Sequence, residues 1–413
     1  METQRDRQIG HDGLPLTAQT KLQNDAKETR HLDRVCESFR QYATFTRCAR
    51  GNLRARVEAC PDAQRKYLPP SLLPGTAEAE HREREMRRAE VQNQFLFDMI
   101  LKHSDVPTSL EVLQTSRRVS TDDEMSKVSS VLKSLARDWS DDGAAERNPS
   151  YGPILCAFRK YLPTVDCAAP PRVVVPGAGV GRLALELCSR GYETQGNEFS
   201  FPMLLASDFI LNGGCTPKQP FTIYPYITET CNLFSYRDAI KEVKIPDCNP
   251  PAMLSTSKHQ GDQPPEFSMA AGEFTSIYQN EKEKEKWDGV ASCFFLDTAP
   301  NVCEYFQTIH HMLKDGGLLI NFGPWHWHWT GPPQRPDDLD LAAYRYRNSH
   351  IDKRYLDSID MSWDDVKEVL SRVGFDIVEE KRATSFYTSN PRSMKRVEYR
   401  CIFFVARKRA SNL

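Results

Sequence analysis

Arg172-Val-Val-Val-Pro-Gly-Ala-Gly-Val-Gly-Arg182 decides the fold, with Gln195-Gly-Asn-Glu198 following about 20 residues after its first glycine. An unbroken run of valines predicts a strand buried on both faces, as in a parallel sheet covered by helices. Gly177, Gly179 and Gly181 let the chain turn sharply and let a ligand approach bare backbone at the start of the next helix. Glu198 falls where a second parallel strand ends, and a carboxylate there accepts hydrogen bonds from both hydroxyls of a ribose.

Two cofactor types share this layout, dinucleotides and S-adenosylmethionine. The glycines are spaced Gly-x-Gly-x-Gly, not Gly-x-Gly-x-x-Gly, which favours S-adenosylmethionine. That molecule has no pyrophosphate to cradle, so its turn need only admit the methionine part.

Working outward, residues 1–30 are polar without apolar periodicity and read as a disordered tail. Residues 31–150 read as an all-helical region. Val35, Phe39, Tyr42 and Phe45 recur at helical spacing, and a long helix is expected over 77–102 and another over 121–140. Residues 151–413 alternate helices and strands and close on two β segments. This is the order of a seven-stranded, Rossmann-like class I methyltransferase sheet, an α/β fold. A Pro-, Ser- and Gln-rich insertion is expected near 246–265, and the Glu/Lys run at 281–286 reads as a solvated turn.

A formal charge of −2 over 413 residues gives no global pull towards nucleic acid or anionic lipid. The first seven residues lack the apolar core of a secretory signal, and no run approaches the roughly 20 apolar residues that span a bilayer. Twelve cysteines occur without a Cys-x-x-Cys pair, which fits reduced thiols in the cytoplasm or the nucleus. Association with nucleic acid or membrane is therefore not expected, and a homodimer is compatible with the chain.

Ligands of open parallel sheets sit beyond the carboxyl ends of the strands. Asp297 ends one apolar run and Phe322-Gly-Pro324 ends the next; Trp325-His-Trp-His-Trp329 follows. This pentapeptide admits three readings: an extended segment whose aromatics only pack, a metal site through His326 and His328, or an aromatic wall around a small substrate. No Cys or carboxylate stands at a spacing that would complete a metal site, so no metal is expected, and the pocket reading fits better. In methyl transfer, positive charge leaves sulfur and appears on the acceptor. A carboxylate such as Asp297 would stabilise that charge and hold a ring N–H in the required tautomer.

Val173-Val-Val-Pro-Gly-Ala-Gly-Val-Gly-Arg182, Gln195-Gly-Asn-Glu-Phe-Ser200, Cys293-Phe-Phe-Leu-Asp-Thr298 and Asn321-Phe-Gly-Pro324 together resemble the carnosine N-methyltransferase family. Ala136-Arg-Asp-Trp-Ser140 and Tyr387-Thr388 match outside the sheet. The resemblance implies an S-adenosylmethionine-dependent enzyme that methylates the π nitrogen of the histidine imidazole in carnosine, giving anserine, or in related His-containing dipeptides. It implies that Arg137, Gly177, Glu198, Glu273, Phe274 and Cys293 line the cofactor site, with Gly179 of the same turn. Asp297, His328, Tyr387 and Tyr399 would face the dipeptide, with Asp297 and His328 catalytic. The sequence departs from the family pattern in four places. Ser134 replaces a Gln, Glu273 an Asp and Val397 a Tyr, and Trp325-His326 replace small apolar residues. Two alternatives stay open: an acceptor histidine within a protein or another imidazole, and a catalytically silent scaffold.

Overall fold

Val173, Val174 and Val175 form the middle of β1 (Arg172–Pro176) and are almost completely buried in the computed structural model, which describes residues 16–106, 119–164, 169–255, 265–387 and 390–410. The other strands, in chain order, are β2 (Glu193–Glu198), β3 (Phe221–Ile223), β4 (Val243–Ile245), β5 (Phe267–Ala271), β6 (Trp287–Cys293), β7 (Leu313–Gly323), β8 (Phe375–Phe386) and β9 (Glu398–Lys408). Seven of them make one sheet in the order β5-β2-β1-β6-β7-β9-β8, and β3 and β4 pair separately. Strands β1, β2, β5, β6 and β7 run parallel, and β9 is antiparallel to both β7 and β8. Numbered within this sheet alone, the order is 3-2-1-4-5-7-6. Chain direction across the sheet therefore reverses between β1 and β6, and the crevice at that switch point is where such sheets take ligands.

Both faces of the sheet are covered. Phe403 packs with Ile154, Phe158, Leu183 and Leu187 on one side; its neighbour Phe404 packs with Phe306, Ile309, Val366 and Leu370 on the other. Alternation along β9 thus feeds two cores, and each fully buried phenylalanine contributes about 1.5–3 kcal/mol of apolar transfer.

The helices begin with α1 (Leu16–Arg40), α2 (Tyr42–Glu58), α3 (Asp62–Arg65) and α4 (Ala77–His103). Thr76 caps α4 by accepting from the Ala79 N–H, and Phe39, Tyr42 and Phe97 form an aromatic core, with ring centres 4.7 and 4.9 Å from that of Phe97. The buried carboxylate of Glu90 takes Arg47 at 2.7 Å and Arg50 at 2.6 Å. Next come α5 (Asp122–Trp139), α6 (Ala144–Tyr161), α7 (Arg182–Cys188), α8 (Phe201–Leu211), α9 (Pro250–Ser255), α10 (Phe274–Tyr278), α11 (Val302–Met312), α12 (Leu341–Arg347), α13 (Lys353–Asp357) and α14 (Trp363–Val373).

Two differences from the sequence reading stand out. Helix starts at Leu16, where the sequence reading has a tail to residue 30, and residues 1–15 lie outside the described part. The segment carries several strong helix formers (Leu16, Ala18, Leu22, Ala26, Glu28), and α1 continues without a break into the turns that bury Val35 and Phe39. The chain also divides into two compact units between Ser130 and Val131, within α5, where the sequence reading places the boundary near 150. In the insertion, β4 leads to Asp247 and α9, and residues 256–264 lie outside the described part. Among the described residues, no helix is long and apolar enough to cross a membrane.

Candidate active site

The glycine turn between β1 and α7 has Gly177, Gly179 and Gly181 at φ values of +62°, +55° and +84°. The three positions differ in what surrounds them. A Cβ on Gly177 would lie 2.6 Å from the Phe295 ring and one on Gly181 2.8 Å from Leu211, whereas one on Gly179 would meet nothing within 4 Å. Gly179 therefore presents bare backbone to open space. Its N–H donates to Glu198 Oε2 at 2.8 Å, and the N–H groups of Phe199 and Ser200 donate to Oε1 at 2.9 and 2.8 Å. Burial raises the pKa of Glu198, and these three amides pull it back down.

The open space is a cavity of about 470 Å³, within the range of small-molecule sites. Arg137, Gly177, Gly179, Glu198, Cys293, His328 and Tyr387 all line it, as does Ser134. Cys293 ends β6, and burial pushes its thiol up to about 12, so it stays a neutral wall rather than a nucleophile.

Arg137 owes its position to a network that spacing does not reveal. Asp138 holds it through two 2.8 Å hydrogen bonds and also accepts from the Tyr151 hydroxyl at 3.0 Å. Behind this pair, Asp247 accepts from Arg147 at 2.9 Å and from Arg182 at 2.6 Å. Arg147 donates to the Arg137 carbonyl at 2.8 Å, Arg182 to the Asp138 carbonyl at 2.9 Å, and the Trp139 indole to the Val180 carbonyl at 3.0 Å. The Ala136–Ser140 segment is thereby fastened to the glycine turn from both sides.

Asp297 follows β6 in a single tight turn, Leu296–Thr298, and is only 3% exposed. It does not itself line the cavity; Thr298 and His328 beside it do. Burial lifts its pKa from 3.8 to about 6, opposed by the His326 N–H that donates to Oδ2 at 3.1 Å. The His328 N–H donates to the Asp297 carbonyl at 3.1 Å, and burial together with nearby His326 lowers the His328 pKa.

The pentapeptide divides by alternation. Trp325 stacks on Trp363 with ring centres 5.7 Å apart, Trp327 donates to the Met361 carbonyl, and Trp329 donates to the Thr298 carbonyl. The indoles pack and brace the Asp297 turn, while His328 reaches the cavity and exposed His326 sits 6.2 Å from the Tyr399 ring. The aromatic wall expected of the tryptophans comes instead from Phe294 and Tyr387, whose rings lie 4.8 Å apart. Phe294 has φ +52°, a strain of about 1–3 kcal/mol that turns its ring into the site. No spacing rule marks that residue beforehand.

Besides Asp297, three expected site residues lie off the cavity. Tyr399 packs behind Phe294 and Tyr387, at 6.1 and 6.4 Å. Phe274 is a core residue at 5.4 Å from both Phe295 and Tyr305. Exposed Glu273 precedes α10, just past the end of β5, and accepts from Ser276 at 2.5 Å. Thr388 lies outside the described residues. Among the described residues, no group of three or more His, Cys, Asp or Glu side chains is arranged to hold a metal ion.

A parallel sheet in this order, an open glycine turn tied to an acid on β2 and a second acid beyond β6 define a methyltransferase of the class I fold. A family model described as carnosine N-methyltransferase matches residues 114–410. The rat carnosine N-methyltransferase is 33% identical over 95% of this chain and 90% of its own, and that of Schizosaccharomyces pombe is 35% identical over 70% and 73%. The chain belongs to the carnosine N-methyltransferase family. Among solved structures, an S-adenosylmethionine-dependent methyltransferase of Methanosarcina mazei is similar over 62% of this chain and 98% of its own, at 13% identity and a TM-score of 0.35.

Proposed function

We propose that this enzyme transfers the methyl group of S-adenosylmethionine to the π nitrogen of the histidine imidazole in carnosine, giving anserine, or in related His-containing dipeptides. The observation that carries this reading is Asp297, a buried carboxylate with a pKa of about 6 at the edge of an aromatic-walled cavity. Near neutral pH it is ionised, and most of an imidazole of pKa about 6.5 is neutral and nucleophilic.

The residues fit the cofactor. Glu198, already fixed by three amides, is placed to accept from ribose hydroxyls, and the space at Gly179 admits the methionine part. Asp138 engages Nε and Nη2 of Arg137, and Nη1 of Arg137 remains to meet the methionine carboxylate. Glu273, past the end of β5, is assigned to the adenine edge, with Cys293 a neutral wall. When bound, the cofactor supplies a sulfonium methyl, an electrophile that requires no covalent enzyme intermediate. Asp297 accepts the N–H of the acceptor's τ nitrogen, which leaves the lone pair on the π nitrogen and balances the charge that develops on the ring. His328, its pKa lowered, stays neutral beside it. Tyr387 and Phe294, packed on each other, give the ring one aromatic wall, and Tyr399 supports them from behind.

The reaction belongs in the cytosol, with the nucleus as a second compartment. Eleven free cysteines among the described residues favour this. We assign no nucleic-acid or membrane partner and leave a homodimer to direct measurement. The test is acceptor profiling with purified protein and labelled S-adenosylmethionine. Carnosine and Gly-His should be methylated. Labelling of histidine-containing proteins without labelling of either dipeptide would refute the reading.

A further inference from the structure

A second cavity of about 250 Å³ adjoins the first, and Arg137, Glu146 and Phe386 line both. Its character differs. The first is bounded by the glycine turn and Tyr387, whereas the second gathers Lys133, Lys241 and Arg396 around Tyr226 and Phe386. Lys241 is paired with Asp142 at 2.9 Å, Lys133 with Glu229 at 3.5 Å, and Arg137 with Asp138. Arg396 has no carboxylate within ion-pair distance among the described residues. It is exposed and lies over the Phe386 ring at 3.4 Å. A cation stacked on an aromatic face keeps its outward N–H groups for a ligand.

The two cavities are joined through the acceptor wall. Tyr387 faces Phe294 at 4.8 Å and Arg137 at 5.3 Å, and the adjacent Phe386 carries Arg396. In a free dipeptide the histidine carboxylate lies about 5 Å from the ring, within reach of that wall when the ring is seated. In a histidine within a protein chain, the same position is a neutral amide.

We propose that the second cavity is the subsite for the backbone part of the acceptor, and that Arg396 pairs with the acceptor's terminal carboxylate. This rests on the dipeptide reading above and adds a reason why a free carboxyl terminus is selected. A charge-assisted pair at an exposed site is screened by solvent, so its expected effect is about tenfold and not larger.

The test compares wild type and Arg396→Gln on carnosine and on carnosine C-terminal amide, at saturating S-adenosylmethionine. Wild-type kcat/KM should fall about tenfold from acid to amide. The variant should lose about tenfold on carnosine and less than about twofold on the amide. Its affinity for S-adenosylhomocysteine, read by calorimetry, should match wild type. An equal loss on both acceptors, or a wild type indifferent to the amide, overturns the subsite. A wild type that binds S-adenosylhomocysteine yet methylates neither acceptor refutes the dipeptide reading itself, a distinct outcome that removes the subsite with it.

Discussion

The His326 backbone N–H donates to Oδ2 of Asp297 at 3.1 Å, so the segment just after β7 holds the carboxylate that follows β6. Because β6 and β7 are neighbours in the sheet, this bond sets the acid by backbone geometry and not by a mobile side chain. Replacing Asp297 by Asn keeps an acceptor oxygen for that amide and removes the charge. Turnover with carnosine should then fall by about 100-fold or more, with S-adenosylhomocysteine affinity within about twofold of wild type. Steady-state kinetics and calorimetry on one preparation check this; equal losses in both would contradict the assigned role.

The raised pKa of Asp297 has two consequences of known sign. Between its ordinary 3.8 and about 6, the folded protein holds a proton that the unfolded chain has released. Stability therefore falls as pH rises through that window, and the effect should be absent in Asp297→Asn. For activity, both the carboxylate and the neutral imidazole are required. Below about pH 6, log kcat/KM for wild type should fall with a slope approaching about 2, and in the variant with a slope of about 1, set by the substrate alone. Thermal midpoints and pH–rate profiles of the two proteins check both signs.

The glycines of the turn should separate binding from stability. Gly179→Ala puts a methyl group into open cavity at a left-handed position, so the fold should survive a cost of about 1 kcal/mol while cofactor affinity drops about tenfold. Gly177→Ala drives a methyl group against the Phe295 ring and should cost about 2 kcal/mol or more. Denaturant midpoints and calorimetry distinguish them.

Glu198→Ala leaves three backbone N–H groups without their acceptor, at about 1 kcal/mol or more in total. Its main effect should be a loss of about tenfold or more in cofactor affinity, with turnover largely recovered at saturating S-adenosylmethionine. Unchanged affinity in calorimetry would remove the ribose contact from the account.

Asp247→Ala strands Arg147 and Arg182, both nearly buried, and should destabilise the protein by about 3–5 kcal/mol although Asp247 is not in the cavity lining. A midpoint within 1 °C of wild type, about 1 kcal/mol or less, would show that the bridge contributes little to stability.

What could be read from residues alone was what is local. The valine run, the glycine turn, Glu198 and the Asp297 turn each declare themselves within a few positions, and the alternation of elements points to the class of sheet, though not to its strand order. The Arg147–Asp247–Arg182 bridge did not, because its members come from three separated segments and look like ordinary surface charges in sequence. Phe294 turns into the site through a backbone conformation that its identity argues against, and Trp325 and Trp327 proved structural because they pack against the core, while Trp329 packs on Tyr355. Phe274 and Tyr399 were assigned by resemblance, which carries residue identity but not which way a ring packs.

The central claim is that Asp297 holds one ring nitrogen so that the other is methylated. It is tested most directly by incubating purified enzyme with carnosine and S-adenosylmethionine bearing a ¹³C methyl group, and locating the label by NMR. The account predicts label on the π nitrogen alone. Label on the τ nitrogen, or a mixture of the two, would contradict it.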